Sequence, residues 1–157
     1  MTADEIRNVQ IRKALQPIIE NLVDSQLRFQ RMSEHVQNGR VKGYFLTESL
    51  RRAQFLEDIE TILQIRSDYD PKQDVTICGT LHRVWGELKS LYGGDDDSLL
   101  ETAEQGEGEV NKAYEKALAK KLPLPIHQML FAQFTHIQQS FEHITTIRTA
   151  GNVHFTL

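Results

Sequence analysis

Two carboxylates set the chemical question in this sequence. In Ser98–Leu118, SLLETAEQGEGEVNKAYEKAL, the residues Leu99, Leu100, Ala103, Val110, Tyr114, Ala117 and Leu118 form one apolar stripe at about 100° per residue. Glu107 falls inside that stripe, and Glu104 lies at its edge one turn earlier. A carboxylate on the core face of a helix is costly unless it is neutralised, paired or bound to metal. A second helical stretch carries a group of the right sign. Its stripe is Phe45, Arg52, Phe55, Leu56, Ile59, Ile62 and Leu63, with Glu48 on the same face and Arg51 nearer the flank. Glu48 and Arg52 are four residues apart, close enough to pair along the helix. A bidentate arginine neutralises a core carboxylate without metal. Glu107 is therefore expected to pair with an arginine of this helix, Arg52 before Arg51. Glu104 and Glu34 read as partly solvated helix residues.

The remaining reactive side chains give weaker signals. His35, His127, His136 and His143 lie on stripe edges or outer faces and read as surface histidines. His82 suits local packing, and His154 lies close to the C-terminal end of the sequence. Cys78 reads as a buried structural thiol rather than a reactive one. Gly106 and Gly108 each cost a helix about 1 kcal/mol relative to Ala. Close approach of a neighbouring helix beside Glu107 would account for Gly106. Asp95-Asp96-Asp97 lacks the alternating ligands and distal Glu of an EF-hand, and reads as capping charge for the helix that follows. No Ser-His-Asp pattern, Walker motif or zinc-ligand cluster is present.

Composition bounds the class. The 157 residues suit one domain, with 39% apolar and 25% charged residues. A net charge of −4 without a Lys/Arg cluster argues against nucleic acid. The single cysteine suits a reducing compartment, no apolar run approaches the ~20 residues of a membrane span, and the polar N-terminus is unlike a secretory signal. The expectation is a cytoplasmic protein with no membrane partner.

The elements that must position these residues are all helical. Thr2-Ala-Asp-Glu5 has the form of a capping box. Pro17 either kinks one long helix or separates residues 1–17, an N-terminal helical extension, from the next helix. That extension has to cover one bundle end, pack along a groove, or meet another chain. Long helices are predicted near Ile18–Asn38, Lys42–Ser67, Ser98–Lys121 and Pro125–Thr149, with Asn38-Gly39 as a helix stop and residues 150–157 as a tail. Residues 18–149 would thus form the bundle. Thr80 is expected to cap a short crossover helix, Leu81–Tyr92, that buries Trp85 at one bundle end. The pattern is a four-helix bundle with one crossover, within a single domain.

Gly79-Thr-Leu-His-Arg-Val-Trp-Gly-Glu-Leu-Lys89, Glu104, Gly106-Glu107, Tyr114 and Ala117-Leu118 resemble a bacterial family of ferritin-like four-helix-bundle proteins described as a domain of unknown function. The resemblance runs from about Leu22 to Arg148 and implies a relationship to di-iron carboxylate proteins. It implies metal positions at Glu34 in the first long helix and at Glu104 and Glu107 in the third. In the second helix the family's acid-Arg pair is replaced by Arg51-Arg52, and in the fourth its His-Asp pair is replaced by Phe141-Glu142. A ferritin-like centre also needs Glu-x-x-His pairs, and this chain has none. The expectation is a non-enzymatic, structural, interaction or stress-associated protein with a degenerate metal centre and no cofactor, acting through a protein partner or self-association. The alternative is an iron- or manganese-binding redox or storage protein with an altered site built from Glu34, Glu104, Glu107 and Glu48.

Overall fold

The computed structural model describes residues 2–66 and 95–150, which form four helices. They are α1 (Ala3–His35), α2 (Gly39–Arg66), α3 (Asp96–Leu118) and α4 (Leu124–Thr149). No strand occurs among the described residues. The crossover helix, Trp85, Cys78, His82 and His154 lie outside them.

α1 is one helix. The capping box forms as its sequence predicts: the Thr2 hydroxyl accepts from the Glu5 N–H at 3.2 Å, and the Glu5 carboxylate accepts from the Thr2 N–H at 2.9 Å. Pro17 lies inside the helix without ending it. An interior proline costs roughly 3 kcal/mol, which the apolar positions on both sides offset because they stay in register. Ile11, Ala14, Leu15, Ile18, Leu22, Phe29 and Met32 are all buried on one line. The helix therefore runs on through residue 17 without a break, and from Ile11 onward its apolar positions join the bundle core. Ile11 and Leu15 share a core with Ala117 and Ile126, and Leu118 and Leu122 pack against it.

The Asn38-Gly39 pair starts a helix instead of stopping one. The Asn38 side-chain carbonyl accepts from the N–H groups of Arg40 and Val41 at 2.9 and 3.1 Å, which makes it the N-terminal cap of α2. α1 closes three residues earlier, at His35. Asp96 fastens this turn to the start of α3: its carboxylate oxygens accept from the backbone N–H groups of Gln37 and Asn38 at 2.7 and 2.9 Å. Asp95 caps α3 through the Ser98 N–H at 2.9 Å, and those hydrogen bonds hold its carboxyl below the usual range. The acidic triplet thus acts in capping, with Asp96 also joining two helix ends.

These links fix the topology. α1 packs against α2 and α3, and α3 against α4. The α1–α2 turn meets the start of α3, while Arg7 and Gln10 of α1 lie beside Lys120 and Pro123 at the other end. The helices therefore run up, down, down, up. Hydrogen bonds between α4 and the Tyr44 hydroxyl, and from α4 to the Glu48 carboxylate and the Phe55 carbonyl, place α2 beside α4. α2 and α3 are then diagonal, and a contact between them must cross the bundle interior. One core layer, of Phe29, Met32, Phe45, Leu99, Leu100, Ala103 and Ile144, fills the end near that turn. The other, built on Leu15, Ile18, Leu22, Ile59, Leu63, Tyr114, Leu130 and Ile137, fills the opposite half.

Candidate functional site

A polar centre sits between the two apolar layers. α2 carries Glu48 and Arg52 one turn apart, and α3 carries Glu107 diagonally opposite. Arg52 and Glu107 are 0% exposed and Glu48 is 3% exposed. The guanidinium meets Glu107 as a fork: Nη1 donates to Oε1 at 2.9 Å and Nη2 to Oε2 at 2.7 Å. Nη2 also donates to Glu48 Oε2 at 2.9 Å, and Nη1 to the Ser25 hydroxyl of α1 at 3.2 Å. Four of the five guanidinium N–H groups are satisfied in this way. The fifth, at Nε, is buried without a hydrogen-bond acceptor. The Phe29 ring packs 5.2 Å from the guanidinium carbon, where its π face adds a cation–π attraction.

The fourth helix completes the cluster. His136 Nε2 lies 3.0 and 2.9 Å from the two Glu48 oxygens. A carboxylate only accepts, so the ring offers its Nε2–H there. Burial by itself would raise the Glu48 pKa; the His136 hydrogen bond and the Arg52 charge outweigh it and hold Glu48 below its ordinary value. Burial would likewise lower Arg52, and the charges and hydrogen bonds of Glu107 and Glu48 push it up instead. The cluster is thus a hydrogen-bonded chain, Glu107–Arg52–Glu48–His136, in which Arg52 and Glu48 favour their charged forms and Ser25 is a neutral acceptor. All four helices contribute.

Neighbouring polar pairs extend it along the bundle. Tyr114 donates to Gln133 Oε1 at 2.7 Å, and Gln133 Nε2 donates to the Phe55 carbonyl at 3.3 Å. Burial raises the Tyr114 pKa far above its ordinary value, although the Arg52 charge opposes it, so the phenol stays a donor. Tyr44 and Ser140 share a hydrogen bond of 2.6 Å on the other side of Glu48.

The structure brings together Glu107, Arg52 and Glu48 and separates the other expected members. Glu104 points to α4, where it accepts from Arg148 Nη1 at 2.9 Å. Arg51 is exposed: one position from Arg52 on a helix is about 100° of rotation, which turns it away from the interior. Glu34 is exposed and pairs loosely with Arg31 at 3.5 Å. His136 corrects its reading as a surface residue, since its side chain is only 24% exposed and holds Glu48. A helical wheel places it on a stripe edge, but that edge faces the α2–α4 seam. Ser25 was also missed; it shares the buried line of α1 and marks where a short hydroxyl must sit beside a large guanidinium. The space beside Gly106 is taken by the end of the Arg28 side chain rather than by the backbone of a neighbouring helix. A Cβ there would collide with the Arg28 guanidinium of α1.

Among the described residues, no group of three or more His, Cys, Asp or Glu side chains has the convergence a metal ion needs. No described helix is long and apolar enough to cross a membrane. Arg52 and Glu107 have no solvent-accessible surface, so neither can meet a substrate; only the His136 end of the cluster reaches water.

Residues 10–120 match the family model described as Domain of unknown function (DUF2383). The chain belongs to that family. The matched segment contains Ser25, Glu48, Arg52 and Glu107, and His136 lies beyond it. No curated protein and no solved structure gives a match.

Proposed function

We propose that this chain is a ferritin-like bundle that works as a non-enzymatic structural or interaction protein, stress-associated and cytoplasmic, in which a buried guanidinium stands where related bundles hold metal. The up-down-down-up order of helices, with one long connection, supports the ferritin-like relationship. A di-metal carboxylate centre needs a Glu from each of two helices and a Glu-x-x-His from each of the other two. The residues present do not fit that group. Glu107 and Glu48 are both spent on Arg52, Glu104 on Arg148, and Glu34 faces solvent. The observation that carries the reading is the fully buried Arg52 held by carboxylates from two helices.

The test is the iron and manganese content of protein purified without chelator, followed by Fe²⁺ oxidation in air. The reading expects no stoichiometric metal and no rate above buffer. Two metals per chain with oxygen-dependent Fe²⁺ oxidation would establish a redox or storage protein instead.

A further inference from the structure

We propose that the outward face of α2 is a contact between two copies of this chain, packed antiparallel about a twofold axis at Leu50. The inference rests on the reading of the chain as an interaction protein, and goes further by naming the partner and the face. α2 buries Phe45, Arg52, Ile59 and Leu63 on one side. Its opposite side carries Gly43, Leu46, Leu50 and Gln54, spaced three and four residues apart and all exposed. Leu50 is the most exposed large apolar residue among those described, at 74%, and Leu46 stands at 44%. A Cβ at Gly39 or Gly43 would meet nothing within 4 Å, so this face is open to the approach of another helix. The stripe carries no charge until Glu57.

The charges that flank the stripe select a second copy as its occupant. Arg40 and Lys42 stand on its two flanks at the start of α2. Asp58 and Glu60 stand on the same two flanks, each eighteen residues later, which is five full turns. An antiparallel pairing that sets Leu50 against Leu50 of the second copy therefore brings Arg40 beside Asp58 and Lys42 beside Glu60. The axis repeats both pairs, as a contact between identical surfaces requires. A partner with a single sign of charge would meet repulsion at one end. Among the described residues, none of these four side chains takes part in a salt bridge. Partial burial and the Glu57 charge push the Glu60 carboxyl above its ordinary value, as expected of an acidic end with no cation beside it. One helix face packed on itself falls at or below the low end of the roughly 1,200–2,000 Å² of a stable interface, so the dimer is weak and depends on concentration.

The experiment is sedimentation velocity of the full chain from about 1 to 500 µM, with circular dichroism to show that each variant keeps its helices. Wild type should pass from monomer to dimer across that range. Leu50→Glu sets two like charges on the axis and should weaken the dimer at least about tenfold. Arg40→Glu/Lys42→Glu reverses the basic flanks, and Asp58→Lys/Glu60→Lys reverses the acidic ones. Each of these alone should stay monomeric, because like charges then meet at both ends. Mixed one to one they should form a heterodimer, since every reversed flank then faces its opposite. A wild type that stays monomeric throughout overturns the proposal. So does a dimer that Leu50→Glu leaves intact, or a mixture of the two reversed variants that does not associate. Metal content measured on the same samples separates this inference from the reading beneath it: a metal-free monomer overturns only the dimer, and a dimer loaded with metal only the non-enzymatic reading.

Discussion

Replacing Arg52 by Met keeps most of the side-chain volume and removes the charge. The structure shows what is left behind. Glu107 loses both hydrogen bonds of the fork, at 2.9 and 2.7 Å, and remains fully buried. Glu48 loses one bond but keeps His136. Breaking a buried ion pair on one side typically costs about 3–5 kcal/mol, most of it the stranded partner charge. At roughly 2–4 °C per kcal/mol for a chain of this size, Tm should fall by about 6–20 °C. Glu107→Gln should also destabilise, because its amide NH₂ would face a guanidinium that only donates. The double variant Arg52→Met/Glu107→Gln removes both charges, so part of the loss should return. Thermal and urea unfolding of the four proteins give the coupling energy, expected at about 1–3 kcal/mol in favour of the pair. Strict additivity would refute the reasoning, since it would mean the two charges do not stabilise each other.

Two further outcomes follow from the same contacts. Gly106→Ala places a methyl against the Arg28 guanidinium, the far end of a flexible side chain that can move aside; the better helix propensity of Ala should then decide, leaving stability unchanged or raised by up to about 1 kcal/mol, measured by urea denaturation. The Glu48 carboxyl is held below its ordinary value of 4.5 in the fold, so its contribution is present above that pH and is lost as pH falls through the lowered value. Tm measured from neutral pH downward should therefore drop more steeply below about pH 4.5 in the wild type than in Glu48→Gln, and parallel curves would contradict the assignment.

The helices were legible because their apolar spacing is regular, and Glu107 and Arg52 were legible because charges on such stripes are conspicuous. Three features were not. Pro17 is a local breaker, and only the packing of Ile11 and Leu15 against α3 and α4 shows why the helix runs through it. Asn38 is compatible with ending one helix or starting another; Asp96, fifty-eight positions away in sequence, accepts from its N–H and holds the turn. His136 sits on an edge that becomes interior only once α2 lies beside α4. Each depends on which helices are neighbours, and a single helical wheel carries no such information. Glu104 and Glu34 show the converse: their acidic type matched a metal pattern, yet one meets Arg148 and the other faces water.

The most direct test of the central claim is anomalous diffraction, near the iron and manganese edges, from crystals grown without chelator. The account predicts a planar guanidinium between Glu48 and Glu107 and no anomalous peak there. A peak within about 2.0–2.2 Å of oxygens from both carboxylates, with Arg52 turned away, would contradict it.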